Sequence, residues 1–180
     1  MISFKSKITV KLLDYFFLNQ EAEHYINELA KILSVDPKNL HRKLEELEKE
    51  GLLISDYKGQ ERYFSLNNES PLLEHYRQIF LTTFGLEHKL KEIVRVTPGI
   101  TKAYIFGSYA SNKFDSTSDI DLLVVGNHSV LDLQKRINIL QKEIGREINS
   151  INISEQELKQ KMKKDQFYKN IFSGDLIELL

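Results

Sequence analysis

The segment best equipped for chemistry is Gly107-Ser108, then ten residues, then Asp119-Ile120-Asp121. Side chains alternate on a strand, so Asp119 and Asp121 leave one face while Ile120 and Leu122 enter the core. Two carboxylates side by side repel. A strand end tolerates them where a divalent cation can sit between, and hard oxygen ligands of this kind suit Mg²⁺ or Mn²⁺ held together with phosphates. Gly107 lets a ligand approach the backbone closely. Ser108 and the N–H groups of a following helix start could hold a phosphate. Alone, an Asp-x-Asp is more often a solvated edge, and a Gly-Ser turn is weaker still. The two in this order, with apolar Leu122–Val125 running on behind, describe a nucleotide–metal site.

The surrounding pattern predicts the elements that hold these residues. Apolar spacing predicts helices at Ile8–Leu18, across Tyr25–Leu33, and from Pro37 to Gly51 with Leu40, Leu44 and Leu47 on one face. Ser34 or Asp36 can cap the third. Strands at 52–56 and 62–66 flank the turn Lys58-Gly59-Gln60. Breakers at 67–71 mark a linker. A long helix follows over 72–96, with Leu73, Ile79, Phe80, Phe84, Leu90, Ile93 and Val94 inward and Gly85 as a kink. From Ile100 strands and helices alternate: a strand to Phe106, a helix beginning at Gly107–Asn112, a strand over 118–125, a helix over 130–144, a strand over 146–153, helix over 155–172 broken near Asp165, and a last strand at 176–180. The expected fold is α+β in two domains: residues 1–67, a linker and connecting helix over 68–98, and residues 99–180.

Residues 107–124, GSYASNKFDSTSDIDLLV, resemble the signature of the minimal nucleotidyltransferases of the DNA polymerase β superfamily. The resemblance covers about residues 100–153. It implies a mixed sheet with flanking helices, Gly107 and Ser108 holding a triphosphate, Ser118 before the first aspartate, and Asp119 and Asp121 binding metal. It also implies transfer of a nucleoside monophosphate from a nucleoside triphosphate, taken as ATP, to a hydroxyl. The family usually places a third acid where this chain has Asn149. Glu147, two residues earlier, is the candidate substitute on the same strand face. Some members act as antitoxins by adding AMP to a partner toxin, so a toxin partner is one implied role. The alternative is a transcription regulator whose degenerate domain only senses nucleotide or dimerises.

The first 66 residues, three short helices and a hairpin, resemble the winged-helix repressors of the ArsR and MarR type, with Leu29–Leu53 and the wing Asp56–Leu66 carrying the likeness. That resemblance implies that the third helix enters the DNA major groove and the hairpin touches backbone. The implied contacts are Lys38, Asn39, His41, Arg42 and Lys43 on the helix, and Lys58, Gln60 and Arg62 on the hairpin. Residues 1–67 hold 10 basic and 11 acidic residues, so DNA affinity is expected to be weak unless a homodimer pools two patches.

Composition narrows the rest. With 180 residues, 41% hydrophobic and 28% charged, the chain can build a core and is not disordered throughout. Without cysteine, thiol nucleophiles and cysteine–zinc sites are excluded. A net charge of −1 leaves nucleic-acid binding to a local patch. The longest apolar stretches fall short of the roughly 20 residues of a membrane span, and the expectation is a cytoplasmic protein. The five histidines lack metal-ligand spacing.

Overall fold

The computed structural model describes residues 4–114 and 118–180. The chain divides into two compact units, Met1–Gly85 and Leu86–Leu180. The boundary falls inside the single connecting helix expected over 72–96. Two helices stand there instead, α4 (Leu73–Thr83) and α5 (Leu86–Arg95). Gly85 explains the break: a Cβ there would lie 2.9 Å from the Leu81 Cα and 3.2 Å from an Asp14 oxygen. The chain can turn at this point only without a side chain. The turn also changes which residues are buried. Phe80 is buried, whereas Ile79 and Phe84, both expected inward, are exposed.

The first unit contains α1 (Lys7–Leu18), β1 (His24–Tyr25), α2 (Ile26–Leu33), α3 (Pro37–Lys49), β2 (Leu53–Lys58), β3 (Glu61–Leu66) and α4. Ser6 caps α1 by accepting from the Thr9 N–H. Leu12, Leu13, Phe16 and Phe17 of this helix are fully buried, each such side chain contributing about 1.5–3 kcal/mol. Asp36 caps α3, its Oδ1 accepting from the Asn39 N–H at 2.9 Å, with Pro37 in the first turn. Leu40, Leu44 and Leu47 form its buried stripe. The three strands pair antiparallel in the order β1-β3-β2. Strand β1 is too short to announce itself in the sequence.

The second unit contains α5, β4 (Ile100–Phe106), β5 (Ile120–Gly126), α6 (Val130–Ile144), β6 (Ile148–Ile153), α7 (Glu155–Lys164), α8 (Gln166–Ser173) and β7 (Ile177–Glu178). The sheet order is β6-β5-β4-β7, with β5 and β6 parallel and the other pairs antiparallel. Strand β5 is central, and its run of buried Leu122–Val125 reflects cover on both faces. On one face Phe106, Leu123, Val125 and Ile153 pack with Tyr168 and Ile171 of α8. The alternating residues Ile120, Leu122 and Val124 are fully buried too, as are Leu133 and Ile137 of α6. Asp165 ends α7 and caps α8, its Oδ1 accepting from the Phe167 N–H, which is the break expected near that residue.

Candidate active site

Asp121 sits in β5 with Phe106 of β4 on one side and Asn149 of β6 on the other. Asp119 lies just before β5, outside the strand expected to begin at Ser118. Even so, the Asp119 charge acts on the Asp121 carboxyl. Asn149 donates from Nδ2 to Asp119 Oδ2 at 3.2 Å. The Asp121 carboxyl is pushed above the usual aspartate range, first by partial burial and then by the Asp119 charge. Among the described residues neither aspartate is paired with a cation.

Gly107 lies against this pair. A Cβ at position 107 would stand 2.5 Å from Asp121 Oδ2, and its φ of +77° is one that side chains avoid. Only glycine brings the Gly-Ser turn onto the carboxylate. The helix expected to begin at Gly107 is a turn instead. The Ser111 N–H donates to the Gly107 carbonyl at 3.1 Å and the Lys113 N–H to the Ser108 carbonyl at 2.9 Å, while Asn112 adopts φ 55° and ends the winding. Ser108 is half-buried within it.

Ser118 accepts through its carbonyl from Arg146 Nη1 at 3.5 Å. Arg146 is buried, with its guanidinium 5.1 Å over the Phe114 ring. It braces the chain on both sides of residues 115–117, and nothing in the linear pattern singles it out. Glu147 also differs from expectation. Strand β6 starts at Ile148, two residues later than expected, so Glu147 stands exposed before it, its carbonyl accepting from the Ile120 N–H at 3.0 Å. Asn149 is the side chain that reaches Asp119. Among the described residues no three His, Cys, Asp or Glu side chains gather as a metal cluster.

The residues expected to touch DNA fall into two groups. Lys38, Asn39 and Arg42 are exposed on α3. Arg42 lies 3.8 Å from Glu46 and His41 3.7 Å from Glu45. The hairpin cations are engaged internally. Arg62 donates to Glu48 at 2.6 Å and to Ser55 at 2.9 Å, and lies over the Phe64 ring. Lys58 is bonded to Glu23, which pushes its pKa above the usual lysine range. No helix of the described residues is long and apolar enough to cross a membrane.

A curated relative from Methanocaldococcus jannaschii, whose name assigns it as a protein adenylyltransferase, is 43% identical over 53 residues. The match covers 28% of this chain and 57% of that relative's length. A solved toxin–antitoxin structure with AMP-PNP aligns over 52% of this chain and 72% of its own, at 18% identity and a TM-score of 0.40. Reduced HlyU from Vibrio cholerae aligns over 44% of this chain and 78% of its own, at 16% identity and a TM-score of 0.36. The family profile of the polymerase beta nucleotidyltransferases matches residues 88–177, half of the chain and nearly all of the second unit. With that match lying over the glycine turn and the aspartate pair, the chain belongs to the polymerase beta nucleotidyltransferase family.

Proposed function

We propose that the second unit binds a nucleoside triphosphate with Mg²⁺ and transfers its nucleoside monophosphate to a hydroxyl, releasing pyrophosphate. The observation that carries this reading is the seat of Gly107 directly on Asp121. It puts a turn able to meet phosphates against two carboxylates that repel each other. The donor set fits a divalent cation: two hard oxygens held close, with further ligand positions left for phosphate and water. When bound, that cation supplies charge neutralisation for the triphosphate and the leaving pyrophosphate. Asp119 and Asp121 hold it, Asn149 orients Asp119, and Ser108 with the turn N–H groups binds the phosphate chain. The acceptor oxygen forms a bond to the α-phosphorus as the bond to pyrophosphate breaks. The hydroxyl proton goes to a base, for which Glu147 is the candidate; an amide such as Asn149 cannot serve. The protein adenylyltransferase relative supports ATP as donor and a protein hydroxyl as acceptor, and a partner toxin is the proposed class of acceptor.

One observation favours a second reading. Asn149 donates a hydrogen bond where the family usually has an acid. A nucleotide sensor would need only the turn and the aspartate pair. In that case the first unit, read as a winged helix, acts on DNA through Lys38, Asn39 and Arg42.

Label transfer from α-labelled ATP to protein in a cell extract decides between the two. Labelling by the wild type, lost by about 10²- to 10⁴-fold in Glu147→Gln with ATP binding retained, makes Glu147 the base. Binding without labelling, and labelling restored by Asn149→Asp, makes the protein a sensor.

A further inference from the structure

We infer that Phe167 is the surface on which the base of the bound nucleoside triphosphate stacks; the inference rests on the nucleotide reading above and adds a base subsite to it. Phe167 is the second residue of α8 and is 48% exposed. Among the described residues it is the aromatic of the second unit's exposed large apolar side chains. A lone exposed apolar residue is ordinary. Its position is what distinguishes this one.

The Phe167 ring lies against Phe106, with centroids 6.4 Å apart and planes at 82°. Phe106 ends β4. It is the cross-strand partner of Asp121 and the immediate predecessor of Gly107. Cross-strand partners share a face, so the Asp121 side chain neighbours the Phe106 ring, and the Phe167 ring packs against that same Phe106. A triphosphate held by the turn and the aspartates carries its nucleoside away from that point, and Phe167 is the aromatic next in reach. The ring is also placed to receive a flat partner. Its other neighbour, Tyr168, stands at 90° to it with centroids 5.4 Å apart. Neither neighbour lies parallel to Phe167, and with 48% of the residue exposed the ring keeps accessible area for a base. The Phe167 N–H is held by Asp165 Oδ1 at 2.9 Å, and Tyr168 and Ile171 are buried in the core behind. The ring is therefore presented from an anchored helix start. Stacking on an aromatic face tolerates any base, so this subsite adds affinity for nucleosides in general, with purines favoured by their larger ring.

The chain has no tryptophan, so Phe167→Trp creates a single indole at this position, excited selectively to the red of the tyrosines. Mg²⁺–ATP is expected to quench its emission, and Mg²⁺–tripolyphosphate, which has the phosphates without a base, to leave it unchanged. Calorimetry on the full chain supplies the second measurement. Phe167→Ala is expected to weaken ATP by about 5- to 150-fold, to leave tripolyphosphate affinity as in the wild type, and to be rescued by Phe167→Tyr. Unchanged ATP affinity in Phe167→Ala overturns the inference. Wild-type affinity for tripolyphosphate equal to that for ATP also overturns it while leaving the phosphate and metal reading intact. Slower label transfer with ATP affinity unchanged assigns Phe167 to the acceptor and overturns the base subsite. Binding of neither compound by the wild type overturns this inference and the nucleotide reading together.

Discussion

The two units treat charge in opposite ways. On α3 and its hairpin, cations are matched to carboxylates of the same unit: Arg62 to Glu48, Lys58 to Glu23, Arg42 and Lys43 to Glu46. At the start of the central strand β5, Asp119 and Asp121 lie two residues apart without a cation among the described residues, and Asp121 is partly buried as well. The first arrangement satisfies itself and gains little from an added partner. The second holds repulsion that a positive ligand would relieve at neutral pH. A like-charged, partly desolvated pair is what a binding site keeps at the expense of stability.

The largest effect expected from this contrast is on ligand binding. Replacing both aspartates with alanine should weaken Mg²⁺–ATP by about 100-fold or more, as two charge-assisted contacts are lost. Calorimetry at constant Mg²⁺ reads this, and equal affinity for mutant and wild type would remove the pair from the site. Next is Gly107→Ala. Its φ of +77° and the 2.5 Å approach to Asp121 Oδ2 predict a loss of about 1–2 kcal/mol in denaturant unfolding, with weaker triphosphate binding. A stable variant with normal binding would show that the turn can move off the carboxylate.

Smaller, but of opposite sign, is the effect of Asp121→Asn on the metal-free protein. The folded state raises the Asp121 pKa, so the charged form costs stability, and that cost is present at neutral pH. As pH falls through the raised value, wild-type Asp121 takes up a proton and the cost disappears. The variant should therefore melt higher than the wild type near pH 7, and the gap should close on acidification. A constant gap across pH would separate Asp121 from the effect. The smallest difference is expected in the first unit. Arg62→Ala should cost about 1 kcal/mol of stability through its lost half-buried contacts and leave any DNA affinity unchanged. Arg42→Ala should do the reverse. If DNA is bound through Lys38 and Arg42, the two exposed cations among the expected α3 contacts, log affinity should fall with log salt at a slope of about −2. A gel-shift series reads it, and a steeper slope would mean that the hairpin cations detach to join the contact.

Sequence reasoning served best where periodicity is strong. Helices α1, α3 and α6 and the apolar strand β5 follow from spacing alone, whereas the cap of α3, open between Ser34 and Asp36 in the sequence, is Asp36 in the structure. The order glycine turn, then aspartates, was also legible, because a local motif carries it. What the sequence concealed depends on contacts between distant residues. The break at Gly85 reads as a kink until Leu81 and Asp14 are seen around it. Glu147 and Asn149 look equivalent by alternation. The start of β6, set by pairing Ile120 with Ile148, separates them. The part played by Arg146 needs Phe114 and Ser118 brought beside it, and Arg62 looks like a DNA contact until Glu48 is seen to hold it. The neighbourhood of Phe167 is assembled from three elements far apart in the chain.

The two aspartates also differ in how their backbone is held. Asp121 lies in a strand laddered on both sides, and moving it would break hydrogen bonds to β4 and β6 together. Asp119 is one residue outside that ladder. The proposed site thus combines a post laddered on both sides with an arm steadied by the side-chain bond from Asn149. The conformational entropy of capturing a ligand falls on the arm and on the turn around Gly107, while the post sets the position to which they close. Ligands of different size at the phosphate end can then be met by the same rigid carboxylate, with fit adjusted from one side only.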